Sequence, residues 1–366
     1  MHLTFISTEN ISSISGGWNG MSYNIYHQLS KYFEVTNIGP INPKINRTEK
    51  LLSKILRTIG FKGNFFFFSN SRLTKIAQEI GNNVNTNCDV LFFHGSTPWI
   101  KYKTNKPYFA YLDASFYTFL HVYSKPHQFR EKDIQRIINS EREFLKNARK
   151  IFFSSKWALE ESIEKYNLNG ANFEVVGLGG NINIPDQICL VPKLELLFIS
   201  VDFKKKGGFL LIEAFKKLKM KFPDLLLNII GQQPPQTITK IPGIHYHGYL
   251  NKRIPEDLLK LESILKTSFC LVHPTQKDMT PLVIVEAGYY GIPSVAPSRF
   301  GIPEMIVNGL SGILIDNIDS KTLAEKISSL LENESILDIR KQTREHFIQN
   351  FTWEQVGLKI KKSIEN

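Results

Sequence analysis

Cysteine is scarce in this chain. Cys88, Cys189 and Cys270 are the only three, they lie far apart, and none stands in a CxxC pair. That spacing excludes a disulfide-built fold, argues against a zinc site and fits a reducing cytoplasm. Long apolar runs are missing too: no stretch approaches the ~18 uninterrupted apolar residues of a membrane span. The opening "MHLTFISTEN" has neither a basic leader nor a long apolar core, so it reads as a first buried strand and not as a secretion signal. His94, His121, His245, His247 and His273 are scattered without metal-ligand spacing, and each is expected to be a packed or surface histidine. No metal site is expected.

What is present is a soluble-protein composition, with 42% hydrophobic and 22% charged residues. At 366 residues the chain suggests two domains of roughly 150–200 residues each. The net charge is +11, and residues 1–185 hold most of it, with 22 Lys and Arg against 14 Asp and Glu. Phosphates, nucleic acid or an acidic membrane surface are the partners such an excess suits. Nucleic acid is not expected, because no RNP-type motif or zinc-finger spacing occurs.

Short apolar runs alternate with helical patterns throughout. Strands are expected at 3–7, 34–39, 89–95, 107–113, 150–155 and 173–179, with helices at 22–32, 71–81, 131–148 and 156–166. The second half repeats the grammar, with strands at 194–200, 225–231, 244–249, 269–275, 293–297 and 312–316. Its helices are expected at 207–221, 254–266, 281–290 and 320–332. Continuous apolar strands separated by helices mean parallel sheets covered on both faces. The fold class is therefore α/β, with two doubly wound Rossmann-like domains facing across a cleft and ligands at the carboxyl ends of the strands. The segment 181–193 reads as the linker, which puts the domains at 1–185 and 186–351. The last helix, after Thr352, is amphipathic and suits packing on either domain.

"KDMTPLVIVEAGYYGIPSVA" (277–296) carries the sharpest signal. Thr280 reads as an N-cap, Pro281 as a first-turn residue and Gly291 as the stop of a helix with no polar face. Glu286 sits inside that helix, and a buried carboxylate must be paired or used. Asp278 stands just before the helix, at the end of the 269–275 strand. Free amides after Thr280 form an anion site, so the two acids are placed to bind hydroxyls on either side of a phosphate. Helix capping by Asp278 and a buried ion pair at Glu286 are the plainer alternatives.

"SVDFKKKGG" (200–208) puts three lysines at a strand end before two glycines and a helix, suited to a diphosphate or merely to a solvated turn. It lacks P-loop spacing. "SISGGWNGMS" (13–22) is another glycine-rich strand-to-helix turn, and it does not match GxGxxG. Asp113 ends the strand in "YFAYLDASF" and suits a general base, a hydroxyl ligand or an N-cap equally. "LLSKILRTIGFKGNFFFFSNSR" (51–72) interleaves basic and aromatic residues. It reads either as an interfacial membrane segment or as an amphipathic helix followed by a buried, strand-like "FFFF".

Together these segments resemble the retaining glycosyltransferases of family 4, which have the GT-B fold. "KDMTPLVIVEAGYYGIPSVAPSRFGIPEMIVNGLSGILI" is similar to the family's E-x7-E block and the glycine- and proline-rich loops behind it, and "VDFKKKGGFLLIEAF" to its K-G segment. "NFTWEQV" is similar to the stretch before a final helix that crosses back to the first domain, here 352–366. First-domain segments such as "YFAYLDASFYTFLHVY" resemble one bacterial branch.

The resemblance implies a metal-independent enzyme that moves a sugar, with retention, from a nucleoside diphosphate to a glycan or lipid-linked acceptor in surface polysaccharide or glycoconjugate synthesis. A UDP- or GDP-sugar is the expected co-substrate, and no other cofactor is expected. Glu286 would hold the ribose and Asp278 the donor sugar. Thr280, Pro281, Leu282 and Val283 would surround the donor phosphates, with Lys205 and Lys206 neutralising them. Gly20 would let a first-domain loop close over the donor, and Gly231 joins the donor-binding residues. Asp113 falls where many relatives carry a histidine. Three departures stand out: Asp278 replaces a glutamate, an arginine before the K-G lysine is missing, and Phe300 replaces a glycine. The rival readings are a nucleotide-sugar epimerase and a non-catalytic nucleotide-sugar binding or scaffold protein. A cytoplasmic enzyme, docked on the inner face of an anionic membrane through its basic first domain, is the expected setting.

Overall fold

The computed structural model describes residues 1–366 except Ser13, Ser15 and Leu190. Those three belong to the glycine-rich 13–22 segment and the 181–193 linker, and lie outside the described residues. The chain divides into two compact units, one of residues 1–13, 18–177 and 356–366, the other of 14–17 and 178–355.

The first unit runs β1 (His2–Ile6), α1 (Gly17–Leu29), β2 (Glu34–Ile38), α2 (Arg47–Thr58), α3 (Asn70–Asn83) and β3 (Val90–His94). It continues with β4 (Tyr108–Leu112), α4 (Phe116–Tyr123), α5 (Glu131–Asn147), β5 (Lys150–Phe153), α6 (Lys156–Tyr166) and β6 (Phe173–Val175). Its six strands are all parallel, in the order β2-β1-β3-β4-β5-β6. Every residue of "VLFFH" and "YFAYL" is buried, as a strand covered on both faces requires. Helix α5 turns Ile134, Ile137, Ile138, Phe144 and Leu145 to the core at helical spacing.

The second unit runs β7 (Glu195–Ser200), α7 (Gly208–Lys221), β8 (Leu226–Gly231), α8 (Gln236–Thr239), β9 (Ile244–Tyr246), α9 (Pro255–Thr267) and β10 (Cys270–Val272). There follow α10 (Leu282–Tyr289), β11 (Ser294–Pro297), α11 (Ile302–Met305), β12 (Gly312–Ile315), α12 (Ser320–Leu331), α13 (Ile336–Asn350) and α14 (Trp353–Glu365). The parallel sheet has the order β12-β11-β10-β7-β8-β9. The chain winds one way from β7 to β9 and the other way from β10 to β12, so the reversal lies between β7 and β10. In open α/β sheets that reversal is where ligands bind.

All twelve expected strands are present. Several local expectations are corrected. Helix α1 begins at Gly17, so Gly20 is buried in its first turn and is not on a loop. The "FFFF" run is no strand: Phe66–Phe68 form a single 3₁₀ turn, with Phe65 and Phe68 buried and Phe67 turned outward. The N-cap of α10 is Pro281, with Leu282 as its first residue, so Thr280 does not cap it. Four further helices were not expected: the single-turn α8 and α11, and the longer α4 and α13. Of the longer two, α4 is apolar nearly all round, and the buried face of α13 mixes Ile339, Arg340, Thr343 and Phe347, so neither shows a clean stripe.

The division between the units falls at Gly177, earlier than 185. The cause is bonding beyond Leu178: Gly180 N–H donates to the Tyr289 hydroxyl at 2.8 Å and Asn181 N–H to Glu286 Oε1 at 3.0 Å. Helix α14 begins in the second unit, and from Val356 onward it belongs to the first. There Gly357 lies against Gln28, and Ser363 Oγ donates to Glu174 Oε2 at 2.7 Å.

Candidate functional site in the second unit

The segment after β7 is folded by two glycines. Gly207 has φ of +83°, and a Cβ there would stand 2.1 Å from the Pro274 carbonyl oxygen. Only glycine permits both the left-handed backbone and that approach. The turn therefore lies directly on the chain leaving β10. Gly231 plays the same part on the other side: with φ of +112°, its missing Cβ would meet the Ser200 carbonyl oxygen at 2.0 Å. It shapes the strand ends and presents no side chain of its own.

Packed on Pro274 in this way, the turn delivers Lys206. Its Nζ is 2.5 Å from Asp278 Oδ2 and donates to the Lys277 carbonyl oxygen at 2.9 Å. His273 Nε2 lies 3.1 Å from the same carboxylate oxygen. Burial pushes the Asp278 carboxyl up, but His273 and Lys206 outweigh it and hold the group below the usual carboxylate range. Lys205 is not part of this cluster. It turns outward and pairs with Asp202 Oδ2 at 2.7 Å, one turn back on the chain.

Above this cluster starts α10, whose first amides, Leu282 and Val283, have no acceptor among the described residues; the first bond of the helix is Ile284 N–H to the Pro281 carbonyl at 3.0 Å. Unsatisfied amides at a helix N-terminus favour an anion. Four residues on, Glu286 is buried, and its Oε1 receives Asn181 N–H and the Lys252 ammonium, the latter at 2.5 Å. Lys252 lies in the turn between β9 and α9, and its side chain is nearly as buried as the carboxylate.

In a comparison with known proteins, residues 190–352 match the family described as "Glycosyl transferases group 1". That match spans somewhat less than half of the chain and shows what the second unit is similar to. Lys206, Gly231, Lys252, Asp278 and Glu286 all lie inside the group 1 segment; Asp113 and Gly20 lie outside it. The capsular polysaccharide biosynthesis glycosyltransferase CapM of Staphylococcus aureus is 25% identical over 203 residues, 51% of each chain. The chain spans less than two thirds of the length of the curated relatives it matches first.

Among solved structures, sucrose-phosphate synthase of Thermosynechococcus elongatus aligns with a TM-score of 0.70 at 14% identity, covering 100% of this chain and 98% of its own. HepE of Anabaena in complex with UDP aligns with a TM-score of 0.68 at 15% identity, covering all of both chains. Likeness at that identity shows the fold, and the fold is GT-B.

Two residues beside the group 1 acids were not anticipated. His273 was expected to be a packed or surface histidine; it is buried, but it packs on Asp278. Lys252 was not singled out at all. The general signal was that a buried acid demands a cation or donor within reach; that both residues follow strands at the edge carrying the acids is visible only in the fold.

The first unit holds its own polar cluster. Asp113 follows β4 directly and is half-buried. The turn beyond it is clamped by Glu141 of α5, a fully buried acid. Glu141 Oε2 accepts from Phe116 N–H at 2.8 Å and from the Tyr166 hydroxyl, and Oε1 from Ser96 and Thr97 at 2.6 and 2.7 Å. Burial raises the Glu141 carboxyl despite these four donors. Nearby His94 is buried, with Nδ1 2.6 Å from Ser22 Oγ and the Trp18 ring 3.9 Å away, and burial lowers it to about 3.

Proposed function

We propose that this protein is a glycosyltransferase that moves a sugar from a nucleoside-diphosphate sugar to a glycan or lipid-linked saccharide acceptor, with retention at the anomeric carbon. The observation that carries the reading is the meeting of Lys206, Asp278 and the free amides of α10 at the reversal of the second sheet, inside the group 1 segment. A cation and two aligned amides at one strand end suit a diphosphate, whose charge grows as the bond to the sugar breaks. Lys206 then stabilises the leaving group without a metal ion. Asp278, held ionised, accepts hydroxyls of the donor sugar. Glu286 takes the ribose, and Lys252, 2.5 Å from its Oε1, keeps that carboxylate aimed. The binding of UDP by HepE supports the choice of a nucleoside diphosphate, and a UDP- or GDP-sugar is the proposed donor. Asp113 is the proposed acceptor-side group of the first unit.

The test is a thermal-shift panel of nucleoside diphosphates and their sugars on the wild type and Glu286→Ala, followed by product analysis with and without saccharide acceptors. A ligand at a hundred times its dissociation constant stabilises by ~2.7 kcal/mol. One nucleotide series should shift the wild type and not the mutant, and sugar transfer should require acceptor. Conversion of donor without acceptor would replace this reading by an epimerase. Binding with neither reaction would replace it by a nucleotide-sugar binding protein.

A further inference from the structure

Helix α2 is built inside out. Its one fully buried residue is Ser53, whose Oγ donates to the Asn64 carbonyl oxygen at 2.7 Å. Gly63 lies so close to Ser53 that a Cβ there would stand 2.3 Å from its Oγ. The helix is thus held to the first unit along a narrow polar line. Leu51, Leu52, Ile55 and Ile59 fall on the other side at helical spacing and, with Phe61 just beyond, are 48–66% exposed. Ordinary surface helices do the opposite and bury the apolar stripe. An apolar surface of this extent on a soluble unit marks an interaction site.

Charge on the same helix narrows the partner. Arg47, Lys50 and Lys54 flank the apolar stripe on one side, Lys62 follows Phe61, and all four are exposed. None of the four pairs with a carboxylate among the described residues, whereas Glu49, the only acid of the helix, is half-buried and accepts from Ser71 Oγ. An apolar stripe about 12 Å long edged by unpaired cations matches a bilayer surface with anionic headgroups, into which such a helix lies flat. A second copy of the chain fits less well, because an antiparallel twofold contact through this stripe would set the two rows of cations against each other. No helix of the described residues is long and apolar enough to cross a membrane.

We propose that α2 and the Phe61 turn are an interfacial anchor that docks the first unit on an anionic lipid bilayer. The anchor is separate from the group 1 site in sequence and in unit, so it stands whether or not the proposed donor chemistry holds.

The experiment is co-sedimentation of the full chain with vesicles of phosphatidylcholine alone or mixed with phosphatidylglycerol. The wild type should sediment with the mixed vesicles and stay in solution with the neutral ones. The pairs Leu51→Ser with Ile55→Ser and Lys50→Gln with Lys54→Gln should each lower binding about tenfold or more. Circular dichroism and nucleotide-induced thermal shift, run on the same samples, report folding and the donor site independently. Wild type that fails to sediment with the mixed vesicles overturns the anchor, as do both variant pairs binding as the wild type does. A wild-type dimer that the apolar variants convert to monomer, seen by light scattering, also overturns it and makes the face a subunit contact.

Discussion

Lys206 Nζ bridges Asp278 Oδ2, at 2.5 Å, and the backbone carbonyl of Lys277, at 2.9 Å, while its neighbour Lys205 turns away to Asp202. Two adjacent lysines at one strand end therefore have separate jobs. Replacing Lys206 by Met should lower kcat for sugar transfer by about 10²–10³-fold, the usual loss when a group aimed at developing charge is removed. It should also destabilise by about 2 kcal/mol, since Asp278, largely shielded from solvent, is left with His273 alone. Lys205→Met should change neither, because its side chain is 65% exposed and its pair is a surface one. Steady-state kinetics and urea unfolding of the two variants make the comparison, and equal losses would remove the distinction.

Gly207 sets the position of that lysine. With φ at +83° and the Pro274 carbonyl 2.1 Å from any Cβ, Gly207→Ala must move the turn off β10. The expected cost is about 3 kcal/mol in urea unfolding. Transfer should fall in parallel with Lys206→Met, because the ammonium is carried away from Asp278. Unchanged kinetics in a destabilised Gly207→Ala would show that Lys206 acts without this placement.

How far the sequence reached is clear from these residues. Strand periodicity placed both sheets, because buried parallel strands are continuous apolar runs such as "VLFFH". Glu286 and Asp278 were legible for the same reason: an acid inside or beside an apolar element is costly and stands out. Glu141 obeys the same rule, lying between Ile138 and Phe144 on the buried face of α5, and it could have been found there. Their partners were less legible. Lys252 lies 34 residues from Glu286 in the chain, and no local pattern shows that two turns share a sheet edge. The three lysines of 204–206 look alike in sequence and are separated only by the direction in which the turn leaves Gly207. Phe300, at a position where the resemblance implied glycine, adopts φ of +57°, the left-handed backbone that glycine favours.

Glu141 should behave as a clamp. Glu141→Ala orphans two hydroxyls of the 96–97 turn, the Phe116 amide and the Tyr166 hydroxyl together. The expected loss is about 3–5 kcal/mol, read by urea unfolding, with Glu141→Gln costing less because one oxygen still accepts. If Asp113 serves the acceptor, Glu141→Gln should raise KM for the acceptor and leave KM for the donor unchanged.

His94 gives the fold an acid-sensitive point. Its folded pKa is lowered by burial to about 3, while an unfolded histidine titrates near 6.5. Above pH 6.5 neither state binds the proton, and the full stability is present. As pH falls from 6.5 toward 3, the unfolded chain takes up a proton that the native site refuses, so stability is lost through that window. Between pH 7 and pH 5 the loss from this one group is about 2 kcal/mol. Urea midpoints across that range should show the slope, and His94→Asn should flatten it.

The Lys252–Glu286 pair permits the most direct test of the donor site. Glu286 is buried and Lys252 largely so, and among the described residues Glu286 has one other donor, the Asn181 amide. Removing either partner alone leaves a buried charge, so Lys252→Met and Glu286→Gln should each destabilise by about 2–3 kcal/mol. The double variant should cost less than the two losses added, with a coupling of about 2 kcal/mol. Binding should divide differently. If Glu286 is the ribose ligand and Lys252 only holds it in place, Glu286→Gln abolishes nucleotide binding and Lys252→Met weakens it about tenfold. The double variant then binds no better than Glu286→Gln. Calorimetric titration of the three variants with the nucleoside diphosphate found in the thermal-shift panel decides it. Full affinity in Glu286→Gln would leave the pair as a structural ion bridge and move the ribose elsewhere.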